Sequence, residues 1–362
     1  MADVQYYRDL ALNLVLALLE QELALVVPAE VVAKLGDDPR LPLPGRATRI
    51  DQHHLGWAIN ELVRTGQVRQ LFHNTKGART VRLIVPVNQR LRTRAIHDAV
   101  QRKAALHARY LGWASGTPNH PGILGAAAES VVHRALTAAN GYLLLNPNTG
   151  QTTVLRGATV PGGPLDNAAI LTVIDASTNT PTATYDVVVE VKNTRPWIYP
   201  GDDELHQLLW KAAALQQALP DTAILPVLVC RQAAHVTVTL TKTLGAYVVR
   251  TVRQLAPANI DQTKLAEVTD ELGYRIDSSD DPAPALINHF TTLIPAAAAE
   301  LATQWRTFGS TFLPLYELLR RDDLERCERT DLRQQLLDAA SVIDYGSRRT
   351  SEQDNEVPWD HT

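Results

Sequence analysis

Cysteine is almost missing from this chain. Of 362 residues only Cys230, in an apolar strand-like run, and Cys327, in a charged helical stretch, carry a thiol. Two such residues build neither a zinc ligand set nor a disulfide framework, which points to a reducing, cytoplasmic setting. Long apolar runs are missing too. The most apolar early segment, 10–27, is interrupted by Glu20, Gln21 and Glu22 and has no basic leader, so neither a signal peptide nor a membrane span is expected. There is no internal repeat, Walker loop or nucleotide-binding glycine motif, and the chain alone is not expected to consume ATP.

Acidic residues are scarce in one stretch and plentiful elsewhere. Residues 1–113 hold sixteen Lys/Arg against ten Asp/Glu, a balance of +6 that leaves −10 for the rest of a chain whose net charge is −4. Between Arg64 and Arg109 there are eleven Lys/Arg and one acid, Asp98. So one-sided a run suits a polyanion, and DNA is the expected partner.

The pattern of the N-terminal third is helical, then stranded. Leu10, Leu14 and Leu18 recur at helical spacing over 4–21, and Pro28 opens a short helix, 29–35, that Gly36 ends. After a proline-rich loop at 39–44, Asp51 is placed to cap a third helix with the apolar stripe Leu55, Ile59, Leu62 and Val63. Strands at 68–72 and 80–85 follow, joined by Asn74-Thr75-Lys76-Gly77. A long helix at about 88–111 carries Arg90, Arg92, Arg94, Arg102, Lys103 and Arg109 and is read as a connector lining the path of a duplex. The Gly- and Pro-rich residues 116–122 then mark a domain boundary.

Beyond that boundary the pattern is mixed. A helix from Gly125 runs through Glu129, Val132 and Leu136 to Asn140-Gly141, and strands are read at 142–145, 165–174, 185–191 and 223–230, with strand-like runs at 236–240 and 246–249. Asp202 or Asp203 caps a helix at 204–219. The chain past Pro257 reads as helices, and the residues after Tyr345 as a polar, disordered tail.

The stretch that demands an explanation is 185–193, Tyr-Asp-Val-Val-Val-Glu-Val-Lys-Asn. Its valines describe a buried strand, yet Glu190 and Lys192 sit on one face of it. Burying a carboxylate and an ammonium costs several kcal/mol per ion unless they are paired or bind something, and a bound metal ion is the economical explanation of such a Glu-x-Lys. A second acid is needed. Asp186 shares the face of Glu190 but lies four residues, roughly 13 Å, away along the strand. Asp166 does better: a hairpin centred near Thr178 sets position 166 opposite 190, at about 5 Å. Asp166 and Glu190 are therefore the expected Mg²⁺ or Mn²⁺ ligands, and Asp186 is given a structural role.

Four elements in order, Gly125-Ala-Ala-Ala-Glu129, Gly163-Pro-Leu-Asp166, Glu190-Val191-Lys192 and the helix bearing Gln207 and Trp210, resemble the PD-(D/E)xK nuclease superfamily over residues 124–252. The residue before the acid is Leu165, with Pro164 one place earlier, a departure from the name motif. The resemblance implies an α/β fold, a mixed central sheet flanked by helices as in restriction endonucleases. It implies metal binding by Asp166, Glu190, the Val191 carbonyl and Glu129, assistance to the attacking water by Lys192, and support by Gln207; Lys211, on the same helix, reads as a reserve cation. Glu129 also reads as a plain solvated helix acid. The three helices and basic hairpin resemble a winged helix, which sets Gln52, His53, His54, Trp57, Asn60 and Arg64 near DNA and Arg69, Lys76, Arg79 and Arg82 near phosphates, with Arg90 and Arg94 of the connector as further nucleic-acid contacts, although winged helices also mediate protein contacts. Arg195, Trp197 and Tyr199 after the strand read either as contacts to an unpaired base or as loop packing.

The expected organisation is a winged-helix-like DNA-binding domain at 1–87, a connecting helix at 88–115, the nuclease-like domain at 116–256, a helical region at 257–345 and a disordered tail at 346–362. The expected function is metal-dependent hydrolysis of DNA in restriction, phage defence or repair. A catalytically silent DNA-binding or scaffold protein and an RNase effector subunit are the alternatives. A homodimer, or a partner protein docked on the C-terminal helices, completes the expectations.

Overall fold

Helix α1 (Val4–Glu22) shows how the local pattern becomes packing. Its buried residues are Ala11, Val15 and Leu19, spaced four apart on one face. The stripe thus lies one residue on from the expected Leu10, Leu14 and Leu18, which flank it half-buried. A computed structural model describes residues 4–37, 50–75, 79–87, 92–116, 121–175, 177–321 and 323–348. Lys76, Arg90, the 39–44 loop and most of the 346–362 tail lie outside the described residues.

Strand β1 (Leu25–Val26) and α2 (Ala29–Val31, extended by a π turn to Gly36) precede α3 (Gln52–Arg64), β2 (Val68–Asn74) and β3 (Thr80–Pro86). The three strands form an antiparallel sheet in the order β1-β3-β2. Asp51 caps α3, its carboxylate accepting the His53 N–H at 2.7 Å. Asp51→Ala is expected to cost about 1 kcal/mol of stability, read from denaturant unfolding, because the first turn loses that acceptor.

The long helix α4 (Thr93–Ser115) follows, and the chain returns to this region twice, at 193–197 and at 251–281. In the second return Gln254–Leu255 and Ile276–Asp277 pair in parallel around the helix Gln262–Leu272. Leu83, Val85, Ala104, Tyr110, Val268 and Tyr274 share one apolar core. Beside it lies a buried ionic cluster. Lys103 Nζ meets Glu30 Oε1 at 2.6 Å and Glu22 Oε2 at 2.7 Å, and Lys34 Nζ meets the same two carboxylates at 3.0 and 2.6 Å. Lys103 of the basic run is therefore a core cation, with its side chain fully buried.

The chain forms two compact units, and they cut across the consecutive segments expected. One comprises residues up to 131, 193–197 and 251–281; the other comprises 132–192, 198–250 and those from 282 on. The expected helical region at 257–345 is split between them.

In the second unit, after helix α5 (Ile123–Ala138), come β4 (Tyr142–Leu144), a small hairpin of β5 (Val154–Leu155) and β6 (Ala158–Thr159), β7 (Asn167–Asp175) and β8 (Thr180–Lys192). Helix α6 (Asp203–Ala218), β9 (Ile224–Cys230), α7 (His235–Thr243) and β10 (Tyr247–Arg250) complete the central layer. The mixed sheet runs β10-β9-β8-β7-β4, with β4, β7 and β8 antiparallel and β8, β9 and β10 parallel. Parallel neighbours need a crossover, and α6 supplies it between β8 and β9. All seven residues of β9 are buried, as a strand covered on both faces requires. Trp305, Tyr316 and Leu336 of the C-terminal helices share a core with Leu205, Leu208 and Leu228.

One expected strand is a helix. The Val-Thr alternation at 236–240 falls within α7, where the Thr237 hydroxyl donates to the Ile198 carbonyl at 2.8 Å and that of Thr241 to the Thr237 carbonyl at 2.7 Å. Hydroxyls that find backbone acceptors let these residues sit buried in a helix despite their β-branched preference. No helix among the described residues is long and apolar enough to cross a membrane.

Candidate active site

Strand β8 supplies the centre because its valines are buried on both faces. Val187, Val188 and Val189 are fully covered, and Glu190 between them and Val191 has no exposed surface. The opposing strand starts at Asn167, which pairs with Val189, so Asp166 stands one residue before the ladder begins. Its Oδ2 accepts the Val191 N–H at 2.6 Å. The loop leading to it is held by Gly162, at φ +66, where a Cβ would meet the Trp210 ring at 2.5 Å. Trp210 in turn lies under the Arg320 guanidinium, 3.8 Å from the ring centre.

Helix α6 meets β8 in matched spacing. Two residues of strand rise about 6.6 Å and four residues of helix about 6 Å, so Lys192 and Glu190 face Gln207 and Lys211 in turn. Lys192 Nζ donates to Gln207 Oε1 and to Glu190 Oε2, each at 2.9 Å. Lys211 Nζ donates to Glu190 Oε1 and to the Pro164 carbonyl, each at 2.6 Å. Both oxygens of the Glu190 carboxylate are thus engaged by ammonium groups. With Asp166, the cluster holds two carboxylates and two ammonium ions. Asp202 is the N-cap residue of α6, but its carboxylate accepts the Tyr199 N–H at 2.7 Å, and burial raises its pKa.

Asp186 behaves as the strand spacing indicates. It is buried and takes a two-pronged contact from Arg156, Nε to Oδ2 at 2.5 Å and the second guanidinium nitrogen to Oδ1 at 2.8 Å. Arg156 escaped the sequence reading, since nothing local links residues 156 and 186. Lys211, expected only as a reserve cation, stands four residues from Gln207, an offset that places both on one helix face.

Glu129 lies half-buried on α5 among residues counted with the first unit. Among the described residues no group of three or more His, Cys, Asp and Glu side chains is placed to hold a metal ion. Two carboxylates nonetheless match in type and number what Mg²⁺ usually takes from a protein, the remainder being water and substrate phosphate. A cation binding Glu190 competes with the two ammonium groups for its carboxylate.

The loop after β8 packs within the first unit. Arg195 donates to Asp37 Oδ2 at 2.8 Å and stacks 4.6 Å over the Tyr274 ring, while Trp197 Nε1 donates to Asp37 Oδ1 at 3.0 Å. Asn193 donates through Nδ2 to the Leu124 and Leu255 carbonyls, both at 2.7 Å. These contacts favour packing over base recognition for Arg195 and Trp197. Tyr199 is half-buried in the second unit.

Four cations of the basic run, Arg64, Arg102, Lys103 and Arg109, are paired with acids inside their own unit. Arg64 grips Glu61 at 2.5 and 2.8 Å, Arg102 meets Glu271 at 2.8 Å, and Arg109 pairs with Glu267. Arg82 donates to Gln70 at 3.0 Å and to Asn60 at 3.2 Å, and Arg79 to the Gly116 carbonyl. Arg69 and Arg94 are exposed. Gln52 Oε1 accepts the Trp197 N–H at 3.0 Å. His54 stacks on Tyr7, and Trp57 lies beneath Arg8.

No family model, curated protein or solved structure matches the chain.

Proposed function

We propose that this chain is a metal-dependent nuclease of the PD-(D/E)xK type that hydrolyses phosphodiester bonds in DNA. One observation carries the reading: Glu190, buried in a valine strand, shares its carboxylate with Lys192, which Gln207 holds, beside an Asp166 that reaches the main chain of Val191. Asp166, Glu190 and the Val191 carbonyl are assigned to Mg²⁺ or Mn²⁺. Once bound, such a cation lowers the pKa of a water and polarises the phosphoryl oxygen. Lys192, 16% exposed at its side chain, orients the water and stabilises charge developing on phosphorus. Gln207 keeps that ammonium aimed.

The first unit supports a winged-helix reading: helix, short strand, two helices and a hairpin, with the short strand paired to the hairpin's second strand. Arg69 and Arg94 are its exposed candidates for phosphate contact. Two findings favour the rival, a protein of this fold that binds without turnover. Ammonium groups hold both oxygens of Glu190, and acids within the unit pair with Arg64, Arg102, Lys103 and Arg109 of the basic run.

Cleavage of supercoiled plasmid separates the two. Mg²⁺-dependent nicking by the wild type, falling about 10²–10³-fold in Lys192→Ala, is the expected result. Cleavage that survives the change undiminished, or none with any divalent cation on plasmid, linear and single-stranded DNA, overturns the reading. Turnover of RNA alone would favour the RNase alternative.

A further inference from the structure

Lys211 touches both acid-bearing segments. Its Nζ donates to Glu190 Oε1 and to the carbonyl of Pro164, two residues ahead of Asp166, each at 2.6 Å. The side chain is 2% exposed against 16% for Lys192. We infer that Lys211 is a positioning residue, a crossbar between the 163–166 segment and Glu190 that fixes the separation of the two carboxylates and so sets the affinity for a divalent cation. The inference rests on the nuclease reading and assigns the two lysines opposite effects on that cation.

Charge alone predicts something else. Deleting an ammonium beside a cation site removes a repulsion and should tighten binding, whichever lysine is deleted. For Lys192 that expectation stands. It shares Glu190 Oε2, is held by a side-chain amide rather than by main chain, and competes with the incoming cation. For Lys211 the geometry opposes it. Without the crossbar the Pro164 carbonyl and Glu190 Oε1 each lose a buried donor, the 163–166 segment is tied to β8 only through Asp166 and the ladder that follows it, and the Glu190 side chain is no longer held at a fixed spacing from Asp166. Partners that orient metal ligands typically govern affinity by 10–100-fold.

The test is calorimetric titration of Mg²⁺ and Mn²⁺ into the full chain, with no nucleic acid present. Lys211→Met should bind about tenfold or more weakly than the wild type, and Lys192→Met more tightly. Equal or tighter binding by a folded Lys211→Met overturns the inference while leaving the nuclease reading intact. Should that variant fail to fold, the ammonium resonances of the wild type decide. Addition of Mg²⁺ should shift the Lys192 signal and leave that of Lys211 in place; a Lys211 shift as large or larger sinks the proposal. A wild type that binds neither ion overturns both readings together.

Discussion

Glu190→Ala is expected to lower the free energy of unfolding by about 3–5 kcal/mol, because it strands a buried ammonium. Lys211 has almost no exposed surface and its other acceptor is a neutral carbonyl, so the lost carboxylate is not replaced by water. Lys192 loses its ion pair as well but keeps Gln207 and is partly solvated, so it contributes less. The pair as a whole need not stabilise the fold relative to apolar residues of the same volume. That distinction gives the control: Glu190→Met combined with Lys211→Met should recover much of what Glu190→Ala loses. Urea unfolding at neutral pH measures both. A loss below about 1 kcal/mol in Glu190→Ala would mean that Lys211 finds water or another acceptor, contrary to its burial.

Acid should destabilise both units through one histidine in each. Burial holds His107 in the first unit and His206 in the second at a pKa of about 4, against 6.5 for a free ring. His107 also shares a 2.7 Å hydrogen bond with the Tyr274 hydroxyl. An unfolded chain protonates each ring near pH 6.5, whereas the folded chain resists until about 4. Within that window the unfolded state binds more protons, so stability rises with pH and is lost as pH falls from 6.5 towards 4. Each ring contributes a slope of up to about 1.4 kcal/mol per pH unit, on the order of 3 kcal/mol over the window. Urea unfolding at steps between pH 7 and 4.5 should show this loss. In His206→Leu the slope should fall by about one proton's worth; an unchanged slope would mean that the ring is already charged in the fold.

The core of the candidate site was legible because its signals are local. Valine repetition marks β8 as buried, two charges inside it are anomalous, and a turn-like cluster near Thr178 sets which residues of the hairpin can oppose one another. Asn167 opposite Val189 belongs to that same register. What escaped depends on distant segments. Counting charges between Arg64 and Arg109 says nothing of Glu22, Glu30, Glu267 and Glu271, which fold back upon them. The Val-Thr alternation at 236–240 fits a strand locally, and only the acceptors available to its hydroxyls tip it to a helix. In α1 Leu10, Leu14 and Leu18 are more apolar than Ala11, yet Ala11 is buried with Val15 and Leu19 while those three are half-buried.

The return of residues 251–281 to the first unit bears on how the protein is made. Val268, Leu272 and Tyr274 are part of the same core as Leu83 and Tyr110, so that core cannot close when the N-terminal stretch emerges from the ribosome. It must wait while the whole β-sheet of the other unit is translated, a delay on the order of ten seconds at typical elongation rates. During that interval α4 carries Arg102 and Arg109 without their acidic partners, and the nascent chain is more basic there than the finished molecule.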